Sequence, residues 1–137
     1  MIKKLFIIII SITYLFSLKV VNVQPLFSSY ADHFEIYLSA SSSGKIIMTD
    51  KISYVMLNGI KGESVSIDKL NFDVQEFLSD FGAEVILVEN IDGGKSFYAR
   101  THKIKKVKEV KGEKINLHIF VGKERVVVGS PIIYGSF

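Results

Sequence analysis

The sequence predicts an α+β domain: an antiparallel sheet with one principal helix packed on a face. Two observations lead there. Short β-branched, alternating segments are separated by turn dipeptides such as Asn58-Gly59, Asp92-Gly93 and Lys111-Gly112, a pattern that gives about seven or eight strands. Among them stands a single capped amphipathic helix, whereas a parallel sheet needs helices alternating with strands. The chain of 137 residues has room for one domain. Apolar residues make up 48% of it and charged residues 23%, which excludes a disordered or collagen-like chain. Without cysteine it is neither a disulfide scaffold nor a thiol enzyme.

The N-terminus reads as an export segment. Lys3-Lys4 precede an apolar run from Leu5 to Leu18, broken only by Ser11, Thr13 and Ser17. A basic start followed by an apolar core is the pattern of a secretory signal. Extended to Val23 by letting Lys19 snorkel, the run approaches the length of a membrane anchor. The best small-x-small pair for cleavage is Ser29-Tyr30-Ala31, well past the apolar core. Residues 1–31 are therefore expected to be either a cleaved signal or an anchor held by residues 5–23. Residues 32–137 are then an extracytoplasmic domain.

In the body, Phe34–Leu38 alternates as a strand and Ser39–Gly44 is a polar loop. Lys45–Thr49 and Ile52–Leu57 are strands, the second ending at Asn58-Gly59, and Glu63–Ile67 alternates again. Asp73-Val74-Gln75-Glu76 places a capping carboxylate before a helix, with Phe72 and Phe77 as its hydrophobic staple. Val74, Phe77, Leu78 and Phe81 recur at helical spacing, and Gly82 supplies the stop. Glu84–Ile91 and Lys95–Thr101 form a hairpin around Asp92-Gly93-Gly94. Ile104, Val107 and Val110 recur every three residues, which suits neither strand nor helix. Ile115–Val121 and Arg125–Val128 are strands around Gly122-Lys123, and Gly129-Ser130-Pro131 ends the last. Tyr134 and Phe137 are placed to cover the sheet edge.

Charge is unevenly spread. Lys3, Lys4 and Lys19 carry the whole net charge of +3, so the body from Asp32 onward is neutral. A free-standing nucleic-acid binder shows a positive balance, and no nucleic-acid partner is expected. From Glu63 to Asp92 acids dominate; from Lys95 to Lys114 bases do. One reading is a pair of solvated faces attracting each other. The other is a possible anion-binding surface of Arg100, Lys103, Lys105, Lys106 and Lys108, for an anionic polymer or a membrane surface.

No catalytic, cofactor or metal site is expected. Gly94-Lys95-Ser96 imitates the end of a phosphate loop, but Glu89 stands where its first glycine belongs and a strand follows. His33, His102 and His118 are isolated in sequence, without ligand spacing. His118 reads as a half-exposed strand residue. Ser130, between Gly129 and Pro131, reads as a turn serine.

From Ile52 to the C-terminus the chain resembles the C-terminal half of the YwmB family, exported proteins of spore-forming Gram-positive bacteria labelled TATA-box-binding-protein-like. The resemblance lies in Tyr54-Val55-Met56-Leu57-Asn58-Gly59, Phe81-Gly82-Ala83, Ile115-Asn116-Leu117-His118-Ile119 and Val127-Val128-Gly129-Ser130-Pro131-Ile132-Ile133. It implies a curved sheet carrying a helix behind a signal or anchor, and a link to sporulation or the cell envelope. The longer N-terminal half of that family is reduced here to Asp32–Lys51. The expected function is a non-catalytic contact domain with an unknown protein partner at the cell surface, and the alternative is a binder of anionic polymer or lipid headgroups.

Overall fold

The structure, a computed structural model, describes residues 2–21, 26–31, 34–39, 45–48 and 60–135. Its first helix, α1, runs over Ile2–Val21. Then come β1 (Phe34–Tyr37), β2 (Lys45–Met48), β3 (Gly62–Asp68), a tight helical turn over Lys69–Asn71 and α2 (Val74–Phe81). The chain closes with β4 (Glu84–Ile91), β5 (Gly94–Arg100), β6 (Lys108–Val110), β7 (Glu113–Ile115), β8 (Leu117–Val121) and β9 (Arg125–Ser130). The expected strand Ile52–Leu57, the turn Asn58-Gly59 and Phe137 lie outside the described residues.

The α+β class holds. Among the described residues, seven strands form one antiparallel sheet in the order β2-β1-β3-β9-β8-β5-β4, with β6 and β7 as a separate hairpin. The connectivity is not a simple run of hairpins. β3 pairs with β9, Val65 opposite Val128, so the sheet closes across more than sixty residues of chain. α2 carries the chain from β3 to the far edge at β4.

α2 forms as its local code requires. The Asp73 carboxylate accepts from the Gln75 and Glu76 amides at 2.8 and 2.9 Å, and Gly82 turns left-handed at φ 54°. Replacing Asp73 by Ala is expected to lower stability by about 1 kcal/mol in urea denaturation. The Phe72 and Phe77 rings lie 5.1 Å apart, as the staple demands. Phe77 and Leu78 are buried against Val65, Ala99, Leu117, Ile119, Val126 and Val128 on one face of the sheet.

A second stretch packs there. Phe27 is fully buried, its ring 6.1 Å from Phe77 and 5.8 Å from Phe81. Tyr30 stands edge-on to Phe77 at 4.9 Å and donates its hydroxyl to Asp80 at 2.6 Å. Residues 26–31 thus contribute Phe27, Tyr30 and Ala31 to the core beside α2.

Two strand readings change in detail. The stretch Ile115–Val121 is broken at Asn116, which turns its side chain to the loop after β5. Ile104, from the three-residue repeat, is a buried plug in that irregular loop, while Val107 is exposed. Tyr134 does not cover an edge. It lies on the sheet face away from α2, 5.6 Å from the Tyr37 ring. A Cβ at Gly62 would meet that Tyr134 ring at 2.8 Å, so glycine lets the segment after β9 lie flat.

Candidate functional site

Chain direction brings one set of termini together. β3 and β8 begin, and β5 and β9 end, at the same end of the sheet, where α2 finishes and β4 begins. That end holds the loop 101–107, the attachment of Leu26, and most of the expected basic surface.

Asn116 fixes the loop. Its Oδ1 accepts from the Thr101 amide at 2.8 Å, and its Nδ2 donates to the Thr101 and Ile104 carbonyls at 2.7 Å each. Thr101 in turn donates its hydroxyl to the Phe81 carbonyl at 2.5 Å. Lys103 donates Nζ to the Asp80 carbonyl at 2.5 Å. Thus two of the carbonyls that α2 leaves unpaired at its C-terminus are satisfied by this loop, one by a cation that also suits the helix dipole.

The five expected basic residues separate into groups. Arg100 and Lys105 border an open depression of about 520 Å³ that also touches Glu84, His102 and Asn116. Arg100 lies across the β4–β5 ladder from Glu84. Lys103 sits on the end of α2. Lys106 donates to the Ile60 carbonyl and lies near enough to Glu63 to favour its ionised form. Lys108 is displaced to the other face, its Nζ 6.0 Å from the Tyr134 ring centre. Arg100, Lys103, Lys105 and Lys106 share one end of the sheet, all exposed; Lys108 does not belong with them.

Glu63 corrects the picture of a fully solvated acidic face. It is only 7% exposed, and its Oε1 accepts from the Leu26 amide at 2.7 Å. Burial pushes its carboxyl up to about 7, against the opposing pull of the Leu26 amide and Lys106. This bond ties the residue that follows the N-terminal segment to β3.

His118 is also corrected: it is buried, not half-exposed. The segment after β9 covers it, the Ile133 amide donating to Nδ1 at 3.3 Å. With Nδ1 accepting, Nε2 carries the proton and faces Ser96 Oγ at 3.1 Å. Tyr98 stacks on the imidazole at 4.4 Å. Burial pushes His118 down to about 4. An imidazole whose Nε2 donates to serine is in the wrong tautomer to activate it, so the pair pins the covering segment. At the edge of this cluster Lys111, on the turn between β6 and β7, pairs with Glu89. Among the described residues no cluster could hold a metal ion.

Glu63 and His118 oppose each other in pH dependence. Glu63 holds a proton in the fold that the unfolded chain releases from its ordinary 4.5, so its contribution falls as pH rises through about 7. His118 stays neutral in the fold while the unfolded chain protonates below 6.5, so its contribution falls as pH drops toward about 4. Each shift corresponds to roughly 3 kcal/mol, and the two slopes cancel over their shared window. Stability is expected to be nearly flat between about pH 4.5 and 6.5. Glu63→Gln is expected to unmask a loss on acidification, and His118→Gln a loss on alkalinisation, both read from urea midpoints across pH.

Sequence reasoning missed Phe27, Asn116 and the burial of Glu63. Asn116 carried one local signal: a polar residue inside an otherwise apolar strand run. No family model, curated protein or solved structure matches the chain.

Proposed function

We propose that this chain is an exported, non-catalytic contact domain held at a membrane by α1, whose partner is a protein of the cell envelope. The observation that carries the reading is the surface of α1. Leu5 to Ile10 and Ile12 each expose 53–64% of their area to every side of the helix, which in water is unfavourable by about 25 cal/mol per Å². The polar breaks are already satisfied: Ser11 donates to the Ile7 carbonyl at 2.9 Å and Thr13 to the Ile9 carbonyl at 2.6 Å, the arrangement a hydrocarbon environment requires. The stretch whose side chains are described, residues 3–13, is shorter than a full span, and no described helix is long and apolar enough to cross a membrane. As a whole α1 extends over 20 residues, to Val21.

Phe27 favours retention of that anchor over cleavage. Cutting after Ser29-Tyr30-Ala31 would strip Phe27 and Tyr30 from the core. The non-catalytic part is supported by the way Ser96, His118 and Asn116 are committed to structural bonds, and the neutral body supports a partner other than nucleic acid. The finer reading of the fold as the TATA-box-binding-protein-like curved sheet, and the link to sporulation, rest on the YwmB resemblance.

The test is the N-terminal mass and location of a C-terminally tagged chain in intact cells, with crosslinking to identify what it touches. Recovery with the membranes, α1 intact, is expected. A soluble cytosolic chain, or an N-terminus at Asp32, would overturn the reading.

A further inference from the structure

We infer that the basic end of the sheet, with Arg100, Lys103, Lys105, Lys106 and the exposed Lys61 immediately before β3, faces the headgroups of an anionic bilayer; this rests on the anchoring reading of α1. Leu26 is fastened by its amide to Glu63, on the second residue of β3, and only residues 22–25 separate it from the end of α1. Five peptide links span at most about 18 Å, so this end of the domain stays near the membrane surface. Lys106 lies beside Glu63 and donates to Ile60, and Lys103 lies beside Asp80, the acceptor of Tyr30. The attachment of the N-terminal segment is therefore flanked by ammonium groups on both sides. Each ammonium has three donors, so one bond to a carbonyl leaves two for other acceptors.

The two ends of the sheet differ in charge. Among the described residues, the acids at the attachment end are Glu63, which is buried, Glu84, which lies across the ladder from Arg100, and Asp80 and Glu76 on α2. Among the described residues of the far end, Asp68, Asp73, Asp92 and Glu124 are balanced by Lys69, Lys95, Lys123 and Arg125. Basic side chains beside an anchor gain attraction to anionic headgroups within about one Debye length, roughly 10 Å at 0.1 M salt. A soluble anionic polymer would gain nothing from the anchor's proximity, which is why the bilayer is the favoured occupant.

The absence of cysteine allows a clean probe. The full chain carrying Ser28→Cys with an environment-sensitive fluorophore is reconstituted into phosphatidylcholine vesicles, with or without phosphatidylglycerol, containing a headgroup-linked quencher. Flotation with the neutral vesicles reads α1 alone; failure there overturns the anchoring reading and this inference with it. Given flotation, quenching is expected to rise with phosphatidylglycerol. The increment is expected to vanish in molar salt and in the Lys103→Glu, Lys105→Glu, Lys106→Glu variant, its fold checked by circular dichroism. The wild-type salt titration stands independently of whether that variant folds. Quenching indifferent to lipid charge or to salt overturns the inference while leaving the anchor intact. So does a folded triple variant that keeps its lipid increment while losing retention on polyglutamate.

Discussion

Phe27→Ala is expected to destabilise the domain by about 3–5 kcal/mol, the range for removing a fully buried ring. That is a large share of the roughly 5–15 kcal/mol that holds a domain of this size together. The ring is the outer layer of an aromatic stack, with Phe77 and Phe81 beneath it and Tyr30 beside it. α2, with eight residues, is too short to persist on its own propensity. Without Phe27 it would expose the ridge it shares with Phe77 and Phe81, and the sheet beneath would lose its lid at the attachment end. Equilibrium urea denaturation measures the effect. Tyr30→Phe, which removes only the hydroxyl donated to Asp80, is expected to cost about 0.5–1.5 kcal/mol. Leu70→Ala, at a side chain 93% exposed, is expected to leave the midpoint unchanged. A Phe27→Ala midpoint as insensitive as that of Leu70→Ala would show that residues 26–31 are not part of the fold.

Why α2 was legible in the sequence and Phe27 was not is a matter of range. Asp73, Phe72, Phe77 and Gly82 interact within one helix and its caps, so their spacing in the chain is their spacing in space. The hairpin of β4 and β5 is legible for the same reason: Asp92-Gly93 sets the turn, and Gly93 takes φ 90°. Phe27 meets partners fifty residues away, in a stretch whose apolar neighbours to the N-terminal side read as membrane-directed. Glu63 alternates correctly as a strand residue, but which way the strand faces is set by β9, paired only after the whole sheet closes. His118 reads as half-exposed because alternation shows that it shares a face with Phe120, not that the segment after β9 returns to cover that face. The basic residues show a third case. Their run is plain in the sequence, yet the break of the strand at Asn116 and the plug of Ile104 split it, sending Lys108 to one face and leaving the others at the sheet end.

That break makes the second large effect predictable. Asn116→Ala is expected to cost about 3–5 kcal/mol, because it orphans three buried backbone groups at once: the Thr101 amide and the Thr101 and Ile104 carbonyls. An unmade buried hydrogen bond costs about 1–3 kcal/mol where water cannot enter, and the open depression beside the loop lets water relieve part of the total. Asn116→Asp separates shape from hydrogen bonding. It keeps the acceptor for the Thr101 amide but sets an oxygen against two carbonyls 2.7 Å away. Proton uptake turns that oxygen into a donor, so the variant's carboxyl is raised in the fold and its stability is expected to recover as pH falls, opposite to an ordinary paired aspartate. The loop itself reports the loss. Thr101 and Lys103 cap α2 through the positions Asn116 sets, so hydrogen exchange at the end of α2 is expected to quicken in both variants while the turn of β4 and β5 stays protected. Equal protection at the two places would mean that Asn116 fills space rather than holding the loop, and that the basic end of the sheet is organised by something else.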